Sequence, residues 1–310
     1  MSVTVQRIGF VKSDMAEVYA LAHRGWLPPS ASISKRSYQM ATNLNALRAE
    51  ALNVLQIRSP VQKCEATAAL AISDCRAVSD EVFSEPAALP GRLERPALVP
   101  PGAVKHRFMH TVEGRATLIH SLAHIELNAV NLALDILWRF PDLPATFYTD
   151  WLPVAHDEAR HFLLLRDHLL MLGFDYGDFP AHNGLWEMAE KTKGDLLARL
   201  ALVPRTLEAR GLDASPLIRE KLKSAGDKRG AEILDIILQD EIGHVAIGNR
   251  WYRWACDARG VDPVSEYAVL AARYRAPALR GPFNIEARRA AGFTEEELLA
   301  LNAAALTPKT

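Results

Sequence analysis

One five-residue pattern occurs twice in this chain and restricts its fold more than any other feature: Asp157-Glu158-Ala159-Arg160-His161 and Asp240-Glu241-Ile242-Gly243-His244. In a helix, residues three apart lie on one face about one turn along, so each glutamate and its histidine can hold one metal ion together. A single Glu-x-x-His pair is more often a pair on a helix surface. Two matched copies on separate helices predict a metal site.

The helical pattern around these copies predicts four long segments. Apolar residues recur at helical spacing over residues 111–140, 144–172, 185–210 and 228–257. We expect the second segment to bend or restart at Pro153, the third to bend at Pro204, and the helix to be interrupted at Gly211 and Pro216. Long helices with short returns predict an antiparallel four-helix bundle.

The remaining segments predict additional helices at both ends of the bundle. Helices are expected at residues 35–58, 60–78, 264–273 and after an N-cap at Thr294, with a proline-rich linker at 79–103. The first residues, 1–33, carry no clear pattern. The chain is therefore predicted to be all-α, in three regions. These are residues 1–103 as an N-terminal helical extension with the linker, 104–260 as the bundle, and 261–310 as C-terminal helices packed on it.

A symmetry along the chain predicts the other acidic ligands. Residues equidistant from the turn between two antiparallel helices lie level with each other. Glu126 and Glu158 are centred on residue 142, within a proline-bounded break, and Glu208 and Glu241 are centred beside Gly226-Asp227. The two separations are 32 and 33 residues. Each Glu-x-x-His copy is therefore expected to meet one glutamate of the preceding helix.

Glu187 and Glu190 compete with Glu208 for the third-helix position, but each lies more than 50 residues before Glu241 and would sit at another level. Four buried carboxylates would destabilise a core through desolvation and mutual repulsion, whereas two divalent cations would neutralise them. The predicted metal ligands are Glu126, Glu158, His161, Glu208, Glu241 and His244.

Asp157 and Asp240 precede the two glutamates of the pattern. A metal-binding imidazole usually donates its other N–H to a carboxylate. We expect each aspartate to accept that hydrogen bond from the histidine of the opposite copy, and so to orient it.

Other polar residues of the helices have simpler explanations. His120 and His124 are four apart and could bind zinc, but they point away from the face of Glu126, so packing or hydrogen bonding is favoured. No tyrosine lies one turn beyond a metal histidine, which disfavours a radical role for Tyr148, Tyr176 and Tyr252.

A lone glutamate followed by Glu-x-x-His, present twice, resembles the ferritin-like diiron carboxylate superfamily over residues 111–257. From about residue 40 to the end, the chain also resembles a bacterial family of ferritin-like proteins of unknown function. The segments that carry this second resemblance are His124–Ala129, Asp157–Phe162, Glu208–Asp213, Asp240–Val245 and Asn284–Arg289. The resemblance implies a ferritin-like bundle in which Glu158 and Glu241 bridge or chelate two ions. Glu126 and Glu208 would be terminal ligands, and each histidine would bind one ion.

The function implied by this resemblance is that of an oxidoreductase, a diiron hydroxylase or oxidase that activates O₂. Its expected partners are dioxygen, an organic substrate and an electron donor, and a homodimer is left open. Iron is the expected metal, with manganese and zinc as alternatives. An iron-handling or peroxide-scavenging protein like ferritins and rubrerythrins is the alternative function, although the chain lacks a four-cysteine rubredoxin-like module. A third interpretation is a structural bundle that holds a metal without redox chemistry.

Composition excludes several other classes of protein. The net charge of -1 gives no electrostatic reason to expect nucleic acid. No apolar run is long enough to span a membrane, and the first residues lack a secretory pattern. The three cysteines are far apart, which argues against a disulfide framework. A reducing cytoplasm is the expected compartment.

Overall fold

Helices make up most of the part of the chain that the structure describes. The computed structural model describes residues 43–74, 79–103 and 108–306, and an isolated parallel bridge joins Leu98 to Ala181. The all-α prediction is confirmed. The unpatterned residues 1–33, the start of the helix expected at 35–58 and the end of the one expected at 60–78 lie outside the described residues. In the described ranges, no helix has the length and apolar character needed to cross a membrane.

The long helices pair in sequence order. They are α3 (Val112–Arg139), α4 (Ala145–Met171), α7 (Ala209–Ser224) and α8 (Lys228–Arg259). Helix α3 packs along α4, α7 packs along α8, and α8 also contacts α4. Two shorter helices, α5 (Gly184–Lys191) and α6 (Leu196–Leu202), precede α7, and α6 packs on α8. Helix α8 therefore lies between α4 and the third helical region.

Turn and cap residues fix where the long helices begin. The hydroxyl of Thr111 accepts the N–H of Gly114 at 3.0 Å and caps α3, and the carboxylate of Asp227 caps α8 in the same way. Asp142 and Gly226 have positive φ angles, 57° and 81°, in the turns before α4 and α8. Both breaks on which the symmetry argument depends are therefore confirmed.

The third helical region departs from the prediction of one helix over 185–210. Asp195 caps α6 through the N–H groups of Leu197 and Ala198, so a new helix starts after α5. A π-helical segment, Val203–Glu208, then joins α6 to α7. In a π-helix each N–H donates to the carbonyl five residues before it, and here the N–H of Ala209 donates to the carbonyl of Pro204. The bend expected at Pro204 takes the form of this π-helical segment.

The interruption expected at Gly211 and Pro216 is wrong, because α7 continues through both residues. Proline has no N–H, so the carbonyl of Leu212, four residues before Pro216, lacks its helical donor. The side-chain amide of Asn284 donates to that carbonyl at 3.2 Å. Helix α4 likewise continues through Pro153 rather than restarting there.

Shorter helices flank the long ones. They are α1 (Leu44–Leu55), α2 (Pro60–Ala68), α9 (Pro263–Arg273), α10 (Ile285–Ala290) and α11 (Glu295–Leu306). Helix α2 ends at Ala68, well before residue 78, and just beyond its end the ring of His156 donates to the carbonyl of Leu70 at 3.0 Å. The capping box predicted for α11 is confirmed by reciprocal hydrogen bonds between Thr294 and Glu297. The division into three regions stays a prediction.

Candidate metal centre

The two Glu-x-x-His copies face each other across the α4–α8 contact. Glu158 and His161 lie on the buried face of α4, and Glu241 and His244 lie on the buried face of α8. The rings of the two histidines have centroids 5.9 Å apart. All four side chains are almost fully removed from solvent, with Glu241 the most exposed at 6%. The three-residue spacing thus places both pairs in one interior.

A compact group of four side chains could hold a metal ion. Glu126 of α3 joins Glu158, His161 and Glu241, and one ligand atom of each lies within 4.8 Å of the others. The Nδ1 atom of His161 is 3.3 Å from Oε2 of Glu126 and 3.4 Å from Oε2 of Glu158. Three helices therefore contribute to the group.

His244 and Glu208 border this group but are not members of it. The Nδ1 atom of His244 lies 2.9 Å from Oε1 of Glu158 and 3.8 Å from Oε1 of Glu241. Glu208 ends the π segment, is half-buried, and lines the same cavity as Glu126 and Glu241. Both remain predicted ligands.

Each histidine is hydrogen-bonded to the aspartate of the opposite copy. The Nε2 atom of His161 lies 2.9 Å from Oδ2 of Asp240, and that of His244 lies 3.3 Å from Oδ2 of Asp157. A carboxylate can only accept, so Nε2 carries the proton in both rings. In a neutral ring, Nδ1 then presents its lone pair to the glutamates.

Arg160 completes this outer network, although it was not among the predicted site residues. Its Nη2 atom is 2.6 Å from Oδ2 of Asp240 and 3.2 Å from Oδ1 of Asp157. Its spacing of three residues from Asp157 was the available signal, since oppositely charged residues at that spacing pair on a helix. The guanidinium group neutralises charge on both aspartates.

Burial controls the ionisation of the carboxyl groups. Burial, together with the charges of Glu158 and Glu241, raises the pKa of Glu126 to about 8. Burial and the neighbouring carboxylates also raise the pKa values of Glu241 and Glu208. Glu158 differs, because the histidines outweigh its burial and hold its pKa below the usual range. Three of the four carboxyl groups thus resist ionisation when no cation compensates them.

The pKa values of the two histidines are also raised, but for a different reason. Burial alone would lower their pKa values, but carboxylates outweigh burial and raise both pKa values well above the ordinary one. Among the carboxylates that raise these pKa values, Asp240 contributes most for His161 and Glu158 contributes most for His244. The interior is therefore one in which positive charge is strongly favoured.

Five buried atoms at this position have no hydrogen-bond partner within the described part of the chain. They are Oε2 of Glu126, Oε2 of Glu158, Oε2 of Glu241, Nδ1 of His161 and Nδ1 of His244. Leaving a buried polar atom unpaired costs about 1–3 kcal/mol, and more for a charged one. Carboxylate oxygen and imidazole nitrogen are ordinary ligands of Fe, Mn and Zn. The side chains present fit a divalent cation.

A cavity of about 750 Å³ adjoins the group, and Glu126, Glu208 and Glu241 form part of its wall. Much of the remaining wall near these glutamates is aliphatic, from α3, the π segment and α8. A pocket of this size and character is typical of sites for small organic molecules.

The histidines and tyrosines outside the pattern are engaged elsewhere. His124 donates to the carbonyl of His182 at 3.0 Å and accepts from Tyr176 at 2.7 Å, and His120 accepts the N–H of Gly177. The hydrogen-bonding role predicted for both histidines is confirmed. The hydroxyls of Tyr148 and Tyr252 donate to backbone carbonyls at 2.6 and 2.7 Å.

Helices that enclose a buried cluster of glutamate and histidine define an all-α protein with a candidate metal site. The chain belongs to the family described as "Protein of unknown function (DUF455)", whose model matches residues 56–299 and so includes all six predicted ligands. It is similar to an uncharacterized protein of Haemophilus influenzae, with 50% identity over 212 residues. That match covers 66% of this chain and 74% of the relative. No solved structure matches the chain significantly.

Proposed function

We propose that this chain is a ferritin-like four-helix bundle that binds two iron ions and uses them for the O₂-dependent oxidation of an organic substrate. The observation that supports this most is the convergence of five buried, unpartnered ligand atoms from three helices. Two dications would satisfy these atoms and would balance four carboxylates. Without them, the buried atoms would carry a large desolvation penalty.

Glu158 is the proposed bridging ligand. Its Oε1 atom faces Nδ1 of His244 at 2.9 Å, and its Oε2 atom faces Nδ1 of His161 at 3.4 Å. One carboxylate thus directs one oxygen toward each histidine. Each histidine would bind one ion, with Glu126 beside His161 and Glu241 spanning both positions. Glu208 would complete the set from the π segment.

Bound iron would supply two electrons for the reduction of dioxygen, one from each ion, and an external electron donor would restore them. The protein's own residues orient the ligands and keep bulk water out. Asp157 and Asp240 hold the histidine rings so that Nδ1 faces inward, and Arg160 fixes both aspartates. The adjoining cavity gives an organic molecule access to the same glutamates.

The cavity also favours oxidation of an organic substrate over iron handling, since a metal ion needs no chamber of about 750 Å³ to enter. Ferritin-like iron storage would require a cage assembly, which light scattering detects. Substrate-dependent O₂ uptake by a small oligomer would support the oxidase function.

Metal analysis of anaerobically iron-loaded protein tests the proposal. Wild type is expected to hold close to two ions per chain, and Glu158→Ala is expected to lose both because it removes the bridging ligand. Glu190→Ala is the matched control, since Glu190 is half-buried and pairs with the exposed Lys193. One ion or none in the wild type, or full loading of Glu158→Ala, would overturn the proposal.

A further inference from the structure

We infer that the substrate of this cavity has an apolar body and an anionic head group, with the head at the cavity mouth and the body directed toward the glutamates. The inference rests on the proposed function in one respect, that the cavity admits an organic substrate. It assigns a chemical class to that substrate.

The inner wall of the cavity is aliphatic. Around the buried glutamates, side chains of α3, the π segment and α8 line it: Leu122, Ile125, Ala129, Leu207, Leu234 and Ile237. Such a wall stabilises a ligand body by removing apolar surface from water, at roughly 25 cal/mol per Å². It offers no hydrogen bonds to a charged group. An anion placed here would be desolvated beside three carboxyl groups.

The outer wall is cationic. Lys191, Arg210, Arg275 and Arg280 line the same cavity, and all four side chains are exposed. Within residues 43–74, 79–103 and 108–306, none of them forms an ion pair or a side-chain hydrogen bond. Glu187 is the one exposed acid of this wall. Four cations against one free carboxylate leave the mouth with net positive charge.

Asp213 is another acidic residue of the outer wall, but its carboxylate is already paired. Its Oδ2 atom is 2.6 Å from Nη2 of the fully buried Arg288, and its Oδ1 atom accepts the backbone N–H of Asn284 at 2.9 Å. These contacts attach the connection between α9 and α10, residues 274–284, to α7. Arg275 and Arg280 lie on this connection, so the segment that carries these two cations of the rim is attached to α7.

Charge therefore changes along the cavity from carboxyl groups inside to free cations outside. A carboxylate or phosphate group at the rim would pair with the cations while staying partly hydrated, and the attached apolar chain would fill the interior. The reverse orientation would bury the anion against the aliphatic wall, away from the cations of the rim and from water. A neutral or cationic head group would gain nothing from the rim.

Isothermal titration calorimetry with ten-carbon probes tests this inference without turnover. Decanoate, decyl phosphate, decan-1-ol and decyltrimethylammonium are titrated into metal-free and zinc-loaded protein. Both anions are expected to bind at least tenfold more tightly than the alcohol, and the cation is expected to bind most weakly. Comparison of the two anions shows whether the rim prefers carboxylate or phosphate.

Arg210→Gln/Arg280→Gln is expected to weaken the binding of both anions at least tenfold and to leave decan-1-ol binding unchanged. Arg229→Gln is the matched control, because Arg229 is exposed on α8 and does not line the cavity. Equal binding of alcohol and anions, undiminished anion binding by the double variant, or no binding of either anion would overturn the inference. Metal analysis of the same samples reports separately on the proposed function.

Discussion

The ring of His161 and the carboxylate of Asp240 are joined by a hydrogen bond of 2.9 Å that connects α4 to α8. The bond uses Nε2, so Nδ1 of the same ring is left facing Glu126 and Glu158. The orientation of a histidine in one copy of the pattern is thus set by the aspartate of the other copy.

Asp240→Asn is predicted to lower the affinity for a divalent metal ion about 10–100-fold, because a neutral amide orients the imidazole less firmly and makes it a weaker ligand. Zinc affinity measured by chelator competition gives the result. Asp235→Asn is the control, since Asp235 is an exposed residue of the same helix that pairs with Arg219. Equal affinities of Asp240→Asn and wild type would contradict an orienting role.

Gly248→Ala is predicted to destabilise the protein by about 1–3 kcal/mol through overpacking. A Cβ atom at residue 248 would lie 2.6 Å from Cβ of Pro204 and 2.9 Å from its Cγ, so the π segment that carries Glu208 must move. Urea unfolding measures the loss of stability, and metal analysis is expected to show reduced loading.

The matched control for this substitution is Gly243→Ala on the same helix. Nothing lies within 4 Å of a Cβ atom at residue 243, and the position is exposed. Alanine costs less backbone entropy than glycine in a helix, so this variant is expected to gain about 0.5–1 kcal/mol of stability. Similar losses in the two variants would show that the Pro204 contact is not responsible.

Asn284→Ala is predicted to destabilise the protein by about 1–3 kcal/mol, because the buried carbonyl of Leu212 loses its donor. Pro216→Ala restores a backbone N–H to that carbonyl. The effect of Asn284→Ala is therefore expected to shrink in the Pro216→Ala background, leaving the part due to capping of Ala287. Strict additivity in this double-mutant cycle would rule out the compensation.

Lys63 is predicted to make the free energy of unfolding pH-dependent. Burial lowers the pKa of Lys63 to about 7, whereas the unfolded chain has the ordinary value of about 10.4. Between these values the unfolded state holds more protons, so the contribution of Lys63 to stability rises with pH, by up to about 1.4 kcal/mol per unit.

Lys63→Met removes this titration, and the difference in stability between wild type and variant is expected to increase from about pH 7 to about pH 10. The difference is the proper measure because burial raises the pKa of the adjacent Cys64, which acts in the opposite direction. A difference that stays constant with pH would contradict the assignment.

The long helices and the meeting of Glu126, Glu158, His161 and Glu241 could be predicted because each depends on spacing along the chain. A three-residue interval sets a helix face, and distance from a turn sets a level. The path of the third region could not be predicted in this way. In helix α7, Asn284, which is remote in sequence, supplies the hydrogen bond that Pro216 cannot donate to Leu212. The cationic rim of the cavity combines residues of α5, α7 and the connection after α9, which no spacing along the chain brings together.

The π segment makes the number of residues before Glu208 matter as much as their identity. Each wide turn takes one residue more than an α-helical turn for a similar advance, so every later side chain is rotated by about 100°. With this rotation, α6 packs on α8 and Glu208 still lines the same cavity as Glu241. A one-residue deletion between Val203 and Glu208 would restore an ordinary helix and turn the carboxyl group of Glu208 away from the interior.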